Sequence, residues 1–169
     1  MKDFKQRGII GRTKLSAYAF DMFEEKRITG KGLNTYNYYI KNRGYRVKTK
    51  WNQTGIWNYN AHNIYYQVLG ESGIIGIVLF ADFLIYNMYN TIKLIFKIGK
   101  KNNKNKRLLL FSLYIQLLIV TYGITGNPLY SPYQFIFYII AINILNKLRR
   151  NEFESRKNTV KEYNDNYDR

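Results

Sequence analysis

Three apolar runs fill the second half of this sequence and constrain its fold more than any other feature. They cover about 73–96, 108–124 and 129–145. A membrane-crossing helix needs about 20 mainly apolar residues, and Gly73 to Phe96 meets that length. Leu108 to Ile124 has no charge. The third run opens at Leu129, with Pro132 suited to a first helical turn because the N–H that proline lacks has no partner there anyway. Backbone in hydrocarbon must bond within its own helix or barrel. The expected fold class is therefore all-α integral membrane, with three C-terminal transmembrane helices in region 73–148. A mean hydropathy of −0.38 hides this, because it averages unlike parts.

The parts differ in charge. The first 72 residues carry thirteen Lys or Arg against five acids, about half of the chain's net +16. Within them, Gly11 to Lys26 reads as a short amphipathic helix: Leu15, Tyr18, Ala19, Met22 and Phe23 recur at helical spacing. Thr29-Gly30-Lys31-Gly32 is a turn that stops it. Leu33 to Asn60 is rich in Tyr, Asn, Lys and Arg and poor in aliphatics, so an irregular, partly ordered loop without a packed core is expected. At the other end, 149–169 is a polar tail, and Glu152 to Arg169 within it reads as disordered.

Basic residues orient membrane helices towards the cytoplasm. The break at Gly99 to Arg107 and the segment after Leu145 are short and basic, whereas the turn at Thr125 to Pro132 has no charge. The expected topology is multi-pass in a membrane, with 1–72 extracytoplasmic and the C-terminus cytoplasmic. No signal-peptide pattern lies near Met1, and a net +8 segment does not cross a membrane unaided. The expectation is a fragment of a larger polytopic bundle, with N-terminal helices missing.

Several chemistries are disfavoured. The absence of cysteine excludes thiolate and disulfide chemistry. One histidine and scattered acids offer no metal site. Gly30-Lys31-Gly32 lacks the spacing of a nucleotide-binding loop, and no cofactor is expected. The basic charge calls for an anionic partner, but a loop held outside the cell is a poor nucleic-acid binder.

Candidate chemistry centres on the only histidine, in Ala61-His62-Asn63, where the polar segment meets the apolar one. Residues here resemble the O-antigen ligase and polymerase family of bacterial polysaccharide assembly. Three motifs carry the resemblance: Gly11-Arg12 before the amphipathic helix, Gly30-Lys31-Gly32-Leu33-Asn34-Thr35-Tyr36, and Ala61-His62-Asn63 with Glu71-Ser72-Gly73-Ile74-Ile75-Gly76 leading into a membrane helix. They span about the first hundred residues, and the chain resembles the C-terminal part of a member.

The resemblance implies a membrane glycosyltransferase that takes glycan from an undecaprenyl-diphosphate carrier and passes it to an acceptor sugar hydroxyl. Polymerase is preferred over ligase because nothing reads out a lipid-A acceptor. The partners implied are the lipid-linked oligosaccharide, the glycan acceptor, membrane lipid and other polysaccharide-assembly proteins. A non-catalytic membrane remnant, or a small subunit packed on another membrane protein, is the alternative.

Residue by residue, His62 is either a structural histidine at a helix start or, as the resemblance implies, the base that takes the acceptor proton. Arg12 is either a solvated helix charge or, by the same resemblance, a guanidinium that binds the leaving diphosphate. Arg43 and Arg46, with Lys48 and Lys50, form a supporting cationic patch or a solvated face. Tyr36 and the other loop aromatics stack on sugar or belong to an interfacial belt, the reading preferred for Tyr65 and Tyr66. Asn63 caps or orients. Glu71 is a second polar group near the site, or an acid complementing its own helix dipole. Asp82, about three turns into the first span, is costly in lipid and needs a polar surrounding, a partner or a proton.

Overall fold

The computed structural model describes residues 2–43, 60–98 and 103–167. Among them all regular structure is helical: α1 (Lys2–Glu25), α2 (Tyr36–Asn42), α3 (Ile64–Ile98), α4 (Asn103–Tyr122), a 3-10 turn (Pro128–Tyr130) and α5 (Pro132–Tyr167).

Two layers of contacts give the direction of the long helices. Leu84 of α3 packs with Ile119 of α4 and Tyr138 of α5. Further along, Leu94 packs with Leu109, Leu145 and Leu148. As α3 advances α4 retreats and α5 advances, so the three form an up-down-up bundle. Short connections favour this arrangement.

α1 and α2 sit on the start of α3. Leu15, Ala19 and Met22 of α1 form a core with Tyr36 and Ile40 of α2 and with Ala61. A buried Leu, Ile or Met side chain contributes about 1.5–3 kcal/mol through its apolar area. α1 approaches α3 so closely at Gly70 that a Cβ there would lie 2.5 Å from the Ala19 carbonyl oxygen.

Several expected boundaries are corrected. α1 begins at Lys2, well before Gly11. The stretch expected to be irregular contains α2, with Tyr36 and Ile40 buried. Two side chains at i, i+4 suffice for a core contact there, despite the scarcity of aliphatics. α3 begins at Ile64, nine residues before the expected start, and breaks at Gly73 (φ 64°, ψ −160°). The tail expected to be disordered is helical to Tyr167. Arg150–Glu154 and Glu152–Arg156 pairs at i, i+4 (3.9 and 3.2 Å) support it.

Among the described residues α3 alone is long and apolar enough to cross a membrane. α4 opens with Lys104, Lys106 and Arg107, and its apolar part from Leu108 to Tyr122 is about 22 Å long, short of a hydrocarbon core of about 30 Å. The expectation of three spans is thus met in helix number but not in apolar length.

The bundle has an inverted polarity. Ile74, Ile75, Leu79, Ile85, Phe96 and Leu110 face outward. Asn87, Thr91, Ser112 and Gln116 are buried between the helices. Gln116 Nε2 donates to Thr91 Oγ1 (2.8 Å) and to Ser112 Oγ (3.1 Å), and Ser112 Oγ donates to the Ala141 carbonyl (2.7 Å). Hydrogen bonding between polar residues of neighbouring helices is how membrane helices associate.

Candidate functional site around the His62 turn

His62 holds a left-handed conformation (φ 50°), uncommon for any residue but glycine and costing on the order of 1–3 kcal/mol. The surroundings hold it there. The His62 amide donates to Asn60 Oδ1 (2.9 Å), closing a tight turn. Ala61 is fully buried. Its amide donates to Gln67 Oε1 (3.0 Å), and its carbonyl accepts from Ser16 Oγ of α1 (2.9 Å). Asn63 caps α3, as expected: its Oδ1 accepts the Tyr66 amide at 3.0 Å.

The start of α3 is also tied to the end of α4. Asn63 Nδ2 donates to the Ile124 carbonyl (3.0 Å) and the Ile64 amide to the Gly123 carbonyl (2.9 Å). Tyr65 Oη donates to the Val120 carbonyl at 2.7 Å. His62 itself remains half-buried. It therefore stands at the meeting point of α1, α3 and α4, on a turn with little freedom.

A buried relay leads from this turn to the second motif. Gln67, which accepts from Ala61, donates through Nε2 to Glu71 Oε1 (3.2 Å). Glu71 Oε1 also accepts the Tyr36 amide (3.2 Å), and Oε2 accepts the Asn34 amide (3.0 Å). The carboxylate thus sits at the N-terminus of α2, where Thr35 supplies no side-chain cap. Glu71 does complement a helix dipole, but that of α2 and not its own. Asn127 Nδ2 joins from the α4–α5 connection, donating to Gln67 Oε1 at 2.5 Å.

The glycine turn is spliced into the break in α3. In an unbroken helix Ile74 and Ile75 would donate to Gly70 and Glu71. Here Ile74 donates to the Arg27 carbonyl (2.9 Å) and Ile75 to that of Ile28 (3.3 Å). The vacated carbonyls of Gly70 and Glu71 accept from Lys31 (3.1 Å) and Gly32 (2.8 Å). These two donors and two acceptors are all satisfied, and the second and third sequence motifs become one unit.

The other candidate residues are placed as follows. Tyr36 is 1% exposed and its hydroxyl donates to the Leu15 carbonyl (2.6 Å). It is a core residue in this fold, which corrects the expectation of a sugar-stacking face. Glu71 is likewise buried and bonded to the chain's own amides. Arg43 follows α2 and pairs with Glu25 at 2.5 Å, while Tyr39 Oη donates to the same carboxylate and Lys31 pairs with it. Hydrogen bonds from Lys31, then Tyr39, hold the Glu25 carboxyl down to about 2. Burial, then the hydrogen bond to Glu25, pushes the Tyr39 phenol up to about 12.

Arg12 lies in α1 by its backbone, but its side chain is outside the described residues, as are Arg46, Lys48, Lys50, Trp51 and Trp57. Among the described residues no cluster of His, Cys, Asp or Glu could hold a metal ion. Gln67 is the site residue that sequence reasoning missed. Its signal was present: Asn63, Gln67 and Glu71 recur every four residues and share one face of a helix. Asn127 carried no such signal, being 60 residues from its partner.

Residues 2–81 match the family model described as O-antigen ligase. No curated protein and no solved structure matches the chain. The matched segment is the N-terminal half of this chain; α4 and α5 fall outside it, so the match ends short of the first hundred residues over which the resemblance was expected. It includes α1, the spliced glycine turn, the His62 turn and the broken start of α3, and over it the chain is similar to the O-antigen ligase family.

Proposed function

We propose that this chain acts in transfer of glycan from an undecaprenyl-diphosphate carrier to an acceptor sugar hydroxyl, with His62 as the base. The match to the O-antigen ligase model supports a ligase-like role in glycan transfer at a membrane. The observation that carries the residue assignment is the clamped turn: the only histidine occupies a costly left-handed conformation, held from three helices and still half-buried. Strained positions that are over-determined by their surroundings cluster at functional sites.

In the proposed reaction the acceptor oxygen attacks the anomeric carbon, and its proton passes to the His62 imidazole. The bond from that carbon to the diphosphate oxygen breaks with inversion, leaving its electron pair on the diphosphate. Arg12 neutralises that charge, and Asn63 holds the histidine turn. Arg46 lends further positive charge. α3, α4 and α5 cross the membrane in this reading, with outward apolar side chains towards lipid and the basic start of α4 reaching the headgroups to offset its short apolar stretch. The basic ends near Lys97, Lys104 and Arg149 face the cytoplasm and the His62 end faces outward.

The test is His62→Asn in cells that depend on the native protein. Asparagine tolerates the left-handed turn but cannot serve as a base. Expected is normal accumulation in membranes with loss of polymer or ligated glycan on gels. Glycan retained at the normal level would sink the assignment.

A second reading, a subunit that packs on another membrane protein, is favoured by Asp82. It is exposed on α3 beside outward-facing Phe83 and Leu79. A carboxylate in that position is costly against lipid and suits a polar partner helix.

A further inference from the structure

Far from the His62 turn, the last turns of α3 and the middle of α5 enclose two adjoining clefts. One, of about 210 Å³, is bounded by Asn90, Lys93, Leu94, Lys97 and Arg149. The other, of about 370 Å³, shares Leu94, Lys97 and Arg149 and adds Asn146, Arg150, Glu152 and Phe153. Four cations thus border one continuous groove that has a single acid.

That acid does not neutralise the groove. Glu152 pairs with Lys97 at 3.8 Å and with Arg156 at 3.2 Å, so its one charge is shared between two cations. Arg150 lies 3.9 Å from Glu154, and Lys93 stands over the Tyr89 ring at 5.7 Å. Arg149 spends one N–H on the Tyr86 hydroxyl at 3.3 Å, which orients its planar fork and leaves other donors open. Such a fork suits two oxygens of one phosphate.

The rim of the groove is as informative as its floor. Phe96 is 81% exposed and Phe153 69% exposed, with Tyr89 and Ile92 also outward on α3. Charged cleft and apolar flank together match an amphiphile, with an anionic head in the groove and a hydrocarbon chain along the helices. A free ion would need no apolar rim. The groove also lies at the end of the apolar helix, at headgroup depth if α3 spans. Basic pockets between membrane helices bind lipid phosphates by this combination.

We propose that this groove is a binding site for the phosphate headgroup of an anionic phospholipid, held by Lys97 and Arg149, with Lys93 and Arg150 adding field. The assignment rests on the membrane placement of α3 to α5 proposed above. It concerns the end of the bundle opposite His62 and does not depend on transfer activity.

The test uses the full chain in two stages. Carbonate extraction of membranes comes first; release of the protein would overturn the membrane placement and this site with it. Retained protein is then purified in a neutral detergent and titrated with phosphatidylglycerol, read by native mass spectrometry. Lys97→Gln with Arg149→Gln should weaken binding about tenfold, while Lys104→Gln with Lys106→Gln, which removes equal charge at the same end, should change it less than about twofold. If the first pair does not fold by circular dichroism, Asn146→Asp supplies the comparison by placing a negative charge at the groove. Equal losses in both pairs would mean diffuse surface charge and overturn the site. Equal binding of phosphatidylcholine would overturn the anion requirement. Full displacement by inorganic phosphate at matched concentration would make it a free-phosphate site and overturn the lipid assignment.

Discussion

Glu71 caps a helix that begins 35 residues earlier in the chain: the Tyr36 amide donates to its Oε1 at 3.2 Å, in the buried interior. α2 is seven residues long, too short to persist alone. Its existence depends on that carboxylate and on the core contacts of Tyr36 and Ile40. The same oxygen accepts from Gln67, which holds Ala61. The start of α2 and the placement of His62 are thus tied together by one buried polar relay.

Glu71→Ala should therefore release α2 and loosen the His62 turn together. Leaving the Asn34 and Tyr36 amides unpaired in a buried site costs about 2–4 kcal/mol in all. Hydrogen exchange measures this directly. Amides 34–40 should lose protection while those of α4 and α5 keep it. Unchanged protection at Tyr36 would show that the carboxylate is dispensable to α2.

The splice between the glycine turn and α3 should fail when either glycine gains a side chain. Gly30 has φ 67°, and a Cβ there would lie 2.3 Å from the Glu71 carbonyl carbon. Gly73 combines φ 64° with ψ −160°, a region essentially closed to other residues, and its Cβ would lie 2.4 Å from the Ile28 carbonyl oxygen. Gly30→Ala and Gly73→Ala should each cost more than about 3 kcal/mol, strain and backbone clash combined. Gly32→Ala should be milder: its φ of 110° strains any side chain, but its Cβ would meet only a Thr35 methyl at 3.3 Å and no backbone. Thermal unfolding of the three variants in detergent ranks them; a Gly32 variant as unstable as the others would refute the splice as the cause.

The corner between α1 and α2 should be acid-sensitive. Glu25 has its pKa lowered from 4.5 to about 2 by Lys31 and Tyr39. A depressed folded-state pKa contributes stability above the unfolded value, lost as pH falls through the folded one. The contribution is present above pH 4.5 and disappears towards pH 2. Tyr39 is raised from 10.0 to about 12, so its contribution is present below pH 10 and lost as pH rises towards 12. Because the Glu25 cluster is exposed, salt should weaken it. Glu25→Gln should flatten stability between pH 4.5 and 2, followed by the unfolding midpoint. An unaltered slope would mean the pairs do not form in solution.

Part of this architecture was legible because local signals suffice for it. Leu15, Ala19 and Met22 recur at helical spacing, so α1's buried stripe follows from periodicity. Asn63 before an apolar run is a helix start, and its side chain does cap. The sequence by itself determined that the chain is helical, that its later helices are apolar outside, and that its only histidine stands at a helix start. Tertiary structure alone decided the rest, because the partners lie far apart in the chain. Tyr36 looked like a surface aromatic until the Leu15 carbonyl, 21 residues away, took its hydroxyl into the core. Arg43 looked like a free cation until Glu25, 18 residues earlier, claimed it. α3 reads as starting at Gly73, since glycine breaks helices, yet the turn 27–32 supplies the hydrogen bonds that carry the helix through. Periodicity reports which face of a helix is buried; only the folded chain decides which distant backbone or carboxylate meets it there.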